Sequence, residues 1–292
     1  MTRDAPMATA APPSPAAAPR SLAAGAGLRH VLGRLYRLLP ASRCTRLRCG
    51  GAWKLGVRKL FSPLLGFPVV LESPPPPRVR MLVSADPVDE RIVETLLGRQ
   101  RALYFPALAD DWTPELVLDV GAHHGFYALF ALATYPGARI VCVEPSAAAA
   151  TLLARNLELN DWSGRASVRR AALAARAGAA ELKHSPDGSW GHSLLEPDEG
   201  ATGAEQVETA TLGELLGDLR PDLVKSNAEG AEFELVRQLA AGGWRPPLVV
   251  LAVHPWLGDE AALLATMDNL GYTREQVGSP ERPMVHFRRA SP

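Results

Sequence analysis

The segment LVLDVGAHHG at residues 116–125 constrains this chain more than any other. Leu116–Val120 is apolar apart from one acid. It is too short for a helix and suits a strand covered on both faces. The two glycines that follow allow a turn that brings backbone close to a ligand, and Phe126–Tyr135 then reads as a helix. The same beat recurs along the chain. Strands are expected at Val79–Val83, Arg139–Glu144, Ser167–Ala172, Ala180–His184, Leu223–Ser226 and Leu248–Val253. Helices are expected at Val88–Arg101, Ser146–Asn160, Thr211–Leu219, Ala231–Ala241 and Glu260–Leu270. This alternation implies an α/β domain on a doubly wound, mostly parallel sheet. Short strands near 272–277 and 283–288 have no helix between them, so an antiparallel C-terminal edge is expected.

The 292 residues carry 31 Lys+Arg and 31 Asp+Glu, but the balance is uneven. Residues 1–70 hold 11 bases and a single acid, Asp4; the remainder holds 20 bases and 30 acids. A basic N-terminal extension on a mildly acidic domain follows. Residues 1–20 are Ala/Pro-rich and read as a disordered tail, 21–78 as the basic extension, and 79–292 as the catalytic-type domain. Within the extension, residues 27–39 place Arg29, His30, Arg34 and Arg37 opposite Val31, Leu32, Leu35 and Leu38, an amphipathic helix. Its apolar face can dock on the rest of the chain or on a second subunit; next in rank is peripheral contact with an anionic membrane. Nucleic acid is not expected as a partner, because no aromatic-interleaved binding motif accompanies the charges. The prolines at 74–77 mark a stiff hinge.

Cys44, Cys49 and Cys142 show neither a disulfide framework nor metal-ligand spacing, and a cytoplasmic setting with no bound metal is expected. No apolar run reaches the roughly 18–20 residues of a membrane helix. Residues 185–205, rich in Gly, Pro, Ser and acid, read as a long surface loop of the kind that often carries function.

Three constellations carry chemistry. Asp119, Gly121, His123 and Gly125 sit at a strand-to-helix turn, but their spacing departs from the dinucleotide G-x-G-x-x-G. An acid before the first glycine would repel a diphosphate, yet it can order the loop or pair with a cation. Glu144 ends the next strand, 19 residues after Gly125, where a carboxylate can accept ribose hydroxyls. Both features lie at the carboxyl edge of the sheet, and together they suit a nucleoside without a required diphosphate, such as S-adenosylmethionine. The third constellation is DLVKSNAEGAE at 222–232, which puts Asn227 and Glu229 at the same edge. Glu229 can act as a base or orient a hydroxyl; Glu232 reads as a first-turn acid on the helix dipole. His254, at a late strand end, is the general-base candidate because imidazole titrates near neutral pH. His184 and His192 flank the long loop, and Trp190 within it could pack on a sugar ring or anchor the loop.

The ordered set VLDVGAHHGFYALFA, VCVEPSAAAATLLARNLELN, RRAALAARAGAAELK, VETATLGELL and DLVKSNAEGAEFELV resembles the FkbM-type S-adenosylmethionine-dependent methyltransferases over about residues 79–256. The resemblance implies a Rossmann-like class I methyltransferase fold that methylates a hydroxyl of a sugar or secondary metabolite. It implies Asp119, Gly121, Gly125 and Phe126 as the methionine-side loop, Glu144 as the ribose acceptor, and Ala172 on the adenine side. The chain departs from the family pattern at His123 (usually Asn), at Asn227 (usually Asp) and at Ala252 (usually Glu, two residues before His254). Two carboxylates are thereby lost, so a catalytically impaired binding protein is the second reading. A nicotinamide dehydrogenase is the third, disfavoured by the missing G-x-G-x-x-G and the missing Tyr-x-x-x-Lys pair.

Overall fold

The computed structural model describes residues 69–73, 78–84, 87–108, 112–185, 192–195, 202–279 and 282–289. The Ala/Pro-rich tail, the 27–39 helix, the prolines at 74–77 and Trp190 lie outside these residues. Along the chain the strands are β1 (Val69–Glu72), β2 (Arg80–Val83), β3 (Leu116–Val120), β4 (Arg139–Val143), β5 (Ala166–Arg169), β6 (Ala172–Leu173), β7 (Gly178–His184), β8 (Gly203–Ala210), β9 (Leu223–Ser226), β10 (Leu248–Ala252), β11 (Tyr272–Ser279) and β12 (Arg282–Arg289). The helices are α1 (Pro87–Leu97), α2 (Phe126–Thr134), α3 (Ala147–Leu159), α4 (Leu212–Leu216), α5 (Ala231–Ala241) and α6 (Glu260–Asn269).

The central sheet runs β11-β12-β10-β9-β3-β4-β5. β10, β9, β3, β4 and β5 run parallel to one another, and β12 joins β10 and β11 in antiparallel fashion. Each parallel strand sends alternate residues to opposite faces, the period-two rule of extended chain. Val117, Ile140, Cys142, Leu223 and Val250 face a core with Phe126–Leu132 of α2 and Leu153 and Leu157 of α3. Leu118, Val141, Val143, Val224 and Leu251 face a second core with α4, Leu235 and Leu239 of α5, and Leu263 and Met267 of α6. Two covered faces explain why β3, β9 and β10 are buried at every residue. From β3 the chain winds outward through β4 to β5, then returns to β9 on the opposite side. The crevice between the carboxyl ends of β3 and β9 is therefore the topological switch point, where open α/β sheets bind ligands.

Two expectations change. Ser167–Ala172 is not one strand: β5 stops at Arg169, and Ala172–Leu173 joins a separate three-stranded sheet, β6-β8-β7. The burial sequence gives the reason. Arg169 and Arg170 are both exposed, then Ala171, Ala172 and Leu173 are all buried, which no single two-faced strand can satisfy. The polar stretch before Thr211 also ends in a strand, since β8 pairs with β7 from Gly178↔Thr209 to His184↔Gly203. Its one large apolar residue, Val207, gives almost no alternating signal.

β1 and β2 form an antiparallel hairpin from Val69↔Val83 to Glu72↔Arg80. Leu71, Met81 and Val83 pack into the α2 side of the core. Asn156 of α3, fully buried, joins this hairpin to the glycine turn: its Oδ1 accepts from Leu82 N at 2.6 Å and its Nδ2 donates to His124 O at 2.7 Å. Among the described residues no helix is long and apolar enough to cross a membrane.

Candidate active site

The turn after β3 is shaped by close approach. Gly121 has φ +73°, and a Cβ there would lie 2.2 Å from Asn227 O, so the β3 and β9 turns touch through backbone. Beside it Asp119 and Lys225 form a buried ion pair, with Lys225 Nζ 2.8 Å from Asp119 Oδ1 and donating to Gly121 O at 3.0 Å. Both are at most a few per cent exposed. Burial pushes the Asp119 carboxyl up from its ordinary range, and Lys225 opposes that rise. Asp119 Oδ2 has no hydrogen-bond partner. Asp119 does not itself line the cavity in the crevice, whereas Lys225 does. Asp119 is thus linked to the turn through Lys225, which donates to both Asp119 and Gly121.

The cavity occupies about 490 Å³ and is lined from the cofactor side by Gly121, His123, Phe126, Glu144 and Ala172, which the sequence had singled out. Gly125, at φ +81°, caps α2 and packs against Leu153 instead of lining the cavity. Glu144 is buried, and its two oxygens accept from His123 N at 2.8 Å and Ser146 N at 2.9 Å. Burial raises its pKa to about 7 against the opposing pull of those two N–H groups. Each oxygen keeps a second lone pair for a hydroxyl donor.

Asn227 and Glu229 line the same cavity from the β9 side. Asn227 is held by its backbone N on Val120 O, and its Nδ2 lies 3.5 Å from the Tyr104 hydroxyl. Glu229 sits at φ +42°, a conformation that costs a side-chain-bearing residue of order 1–3 kcal/mol. His123, across the cavity, is likewise left-handed at φ +51°. Both of these residues line the cavity.

His254 stands behind Glu229 and is only 6% exposed. Its Nδ1 lies 2.8 Å from Glu232 Oε1 and its Nε2 3.2 Å from Glu229 Oε1. Burial works against the charged ring, but the two carboxylate hydrogen bonds prevail and lift its pKa to about 9. At neutral pH both ring nitrogens carry protons, so His254 has no lone pair with which to take one. The general-base role expected of His254 does not suit this geometry. On the β9 side Glu229 faces the cavity with a carboxylate, and His254 is bonded to it from behind. Glu232, read from sequence as a dipole acid, is fully buried and also accepts from Gly230 N and His254 N. Ala252, where a Glu was expected, is buried in β10, so His254 takes its carboxylate partner from α5 instead.

This triad has a pH signature. An imidazole whose pKa is about 9 when folded and near 6.5 when unfolded stabilises the fold fully below 6.5, and that contribution is lost as pH rises through 9. The melting temperature is expected to decline between pH 7 and 10, with a loss on the order of 2–3 kcal/mol. In His254→Asn that decline flattens. Equal slopes in both proteins would contradict the assignment.

Sequence reasoning missed the pair Asp89–His124. Asp89 is fully buried and joins His124 Nδ1 at 2.7 Å and Ser84 N at 2.6 Å. Asp89, His123 and His124 lie close enough to suggest a metal set. The two imidazoles are stacked at 3.7 Å and 26°, which points their in-plane lone pairs alongside each other and not at a shared centre. The cluster braces the glycine turn. His192 lines the cavity and stacks on His184 at 4.4 Å; His184 lies outside the cavity wall.

Several known proteins are similar to this chain in part. Methyltransferase sdnD of Sordaria araneosa is 27% identical over 187 residues, covering 49% of this chain and 72% of that protein. Methyltransferase 1 of Beauveria bassiana (strain ARSEF 2860) is 25% identical over 180 residues, covering 54% and 72%. Among solved structures, precorrin-6y C5,15-methyltransferase of Geobacter metallireducens aligns with 14% identity and a TM-score of 0.39, over 65% of this chain and 88% of that one. The profile of the methyltransferase FkbM domain matches residues 119–274, from Asp119 through β3 to the start of β11. The described architecture is the Rossmann-like class I methyltransferase fold, and the chain belongs to the FkbM methyltransferase family.

Proposed function

We propose that the protein transfers the methyl group of S-adenosylmethionine to a hydroxyl of a small molecule. One observation carries this reading: a buried carboxylate, Glu144, and a second one, Glu229, face a single cavity from opposite sides of the β3–β9 crevice. The residues fit the cofactor. A volume of about 490 Å³ suits a nucleoside ligand with room for an acceptor, and Gly121 leaves backbone open where a side chain could not stand. Glu144 would hold the ribose hydroxyls, Gly121 and His123 the methionine side, and Ala172 the adenine side. When bound, the cofactor supplies a methyl group already activated on a sulfonium.

The chain then has to align the acceptor, exclude water and accept one proton. Glu229 accepts that proton from the acceptor hydroxyl, while His254 and Glu232 hold its carboxylate in place. Lys225 fixes the turn carbonyl of Gly121. Of the two departures behind the impaired-protein reading, Ala252 weighs less, since His254 is partnered by Glu232 without a carboxylate at 252.

Calorimetric titration with S-adenosylmethionine and S-adenosylhomocysteine tests the reading; both are expected to bind, and binding of neither would contradict it. Glu144→Ala should weaken both by about tenfold or more, because it removes the hydroxyl acceptor and uncaps two N–H groups. Unchanged affinity would refute the role of Glu144.

A further inference from the structure

Among the described residues the cavity wall on the acceptor side is largely apolar, and several of its polar groups are already engaged within the protein. This inference rests on the methyl-transfer reading and names the acceptor. Around Asn227 and Glu229 the wall is formed by Tyr104, Leu195, Phe233 and Leu257. Glu229 is bonded to His254, Lys225 to Asp119 and Gly121, and Arg237 to Glu234. Ser193 donates its hydroxyl to Glu229 O at 2.8 Å and accepts from Leu195 N at 3.0 Å. A sugar brings a hydroxyl on almost every carbon. Each one buried here without a partner would cost about 1–3 kcal/mol.

The wall is also built deliberately against the catalytic turn. Residues 192–195 are pinned to β7 through the Lys183↔Ser193 bridge and to the carbonyl of Glu229 through Ser193. Gly230 completes the fit: a Cβ there would lie 2.7 Å from Leu195 Cδ1 and 3.4 Å from Leu257 Cβ. Leu195, 55% exposed at the rim, presents apolar surface with nothing over it among the described residues. Such a rim is stabilised when an apolar ligand covers it.

We propose that the acceptor is a predominantly hydrocarbon molecule presenting one hydroxyl to Glu229, not a glycan, and that Leu195 and Leu257 select it. The test uses the full chain loaded with S-adenosylhomocysteine, titrated by calorimetry with adamantanemethanol, a compact hydrocarbon cage bearing one hydroxyl, and with methyl glucoside. Adamantanemethanol is expected to bind at least about tenfold more tightly than the glucoside. Leu195→Asp, at an exposed position that tolerates charge, and the milder Leu257→Asn are each expected to weaken adamantanemethanol by about tenfold. S-adenosylhomocysteine titrations of the same variants check that the cofactor side is intact. Glucoside binding equal to or tighter than the alcohol, absence of alcohol binding, or unchanged binding in both variants would each overturn the proposal. Failure of S-adenosylhomocysteine to bind the unaltered protein would instead overturn the methyl-transfer reading beneath it.

Discussion

Lys225→Met is expected to destabilise the protein by about 3–5 kcal/mol, the usual cost of stripping one partner from a buried ion pair. Asp119 is fully buried, and one of its oxygens has no partner even in the intact protein. Without the ammonium its carboxylate must either ionise in an apolar interior or take up a proton. Burial already pushes its pKa upward, so protonation relieves part of the cost in mildly acidic solution. The loss should therefore be larger at pH 8 than at pH 6. Urea midpoints at the two pH values measure it, and the double variant Asp119→Leu with Lys225→Met should recover much of the stability, since no charge is left buried. A loss below about 1 kcal/mol at both pH values would show that Asp119 is not the isolated charge described here. The consequence reaches function through Gly121, whose carbonyl is held by the same ammonium.

Glu229→Gln should lower turnover of an accepted alcohol by about 10²–10⁴-fold, the range that positioned acid–base groups contribute. It keeps shape and hydrogen-bonding capacity but cannot accept a proton at neutral pH. Affinity for S-adenosylmethionine should change by less than about threefold, because Glu144 and the Gly121 turn are untouched. His254→Gln should reduce turnover by about tenfold only, as Glu229 loses its orienting partner but keeps its carboxylate. Turnover unaffected by Glu229→Gln would remove that residue from the chemistry.

Much of the architecture was legible because the parallel strands are buried on both faces and longer runs at helical spacing fall between them. β3, β9 and α5 fall where the apolar periodicity places them, at Leu116–Val120, Leu223–Ser226 and Ala231–Ala241. β8 was hidden because a strand with only Val207 and Thr209 buried looks like a polar loop. The site divides in the same manner. Glycine spacing and strand-end acids are local patterns, so Gly121, Glu144, Asn227 and Glu229 could be read directly. Glu232 could not, since its value comes from His254, 22 residues away just past the end of β10. Asp89 gave no signal for the same reason, with His124 lying 35 residues downstream. The protonation of His254 depends on two carboxylates converging on one ring, and that convergence exists only once α5 packs against β10.

The central claim is that one cavity holds the nucleoside at Glu144 and the acceptor at Glu229. The most direct measurement is a crystal structure of the full chain with S-adenosylhomocysteine. The account predicts ribose hydroxyls within hydrogen-bond distance of Glu144, adenine against Ala172, and the sulfur turned toward Asn227 and Glu229. Ligand bound outside the β3–β9 crevice, or a ribose out of reach of Glu144, would contradict it.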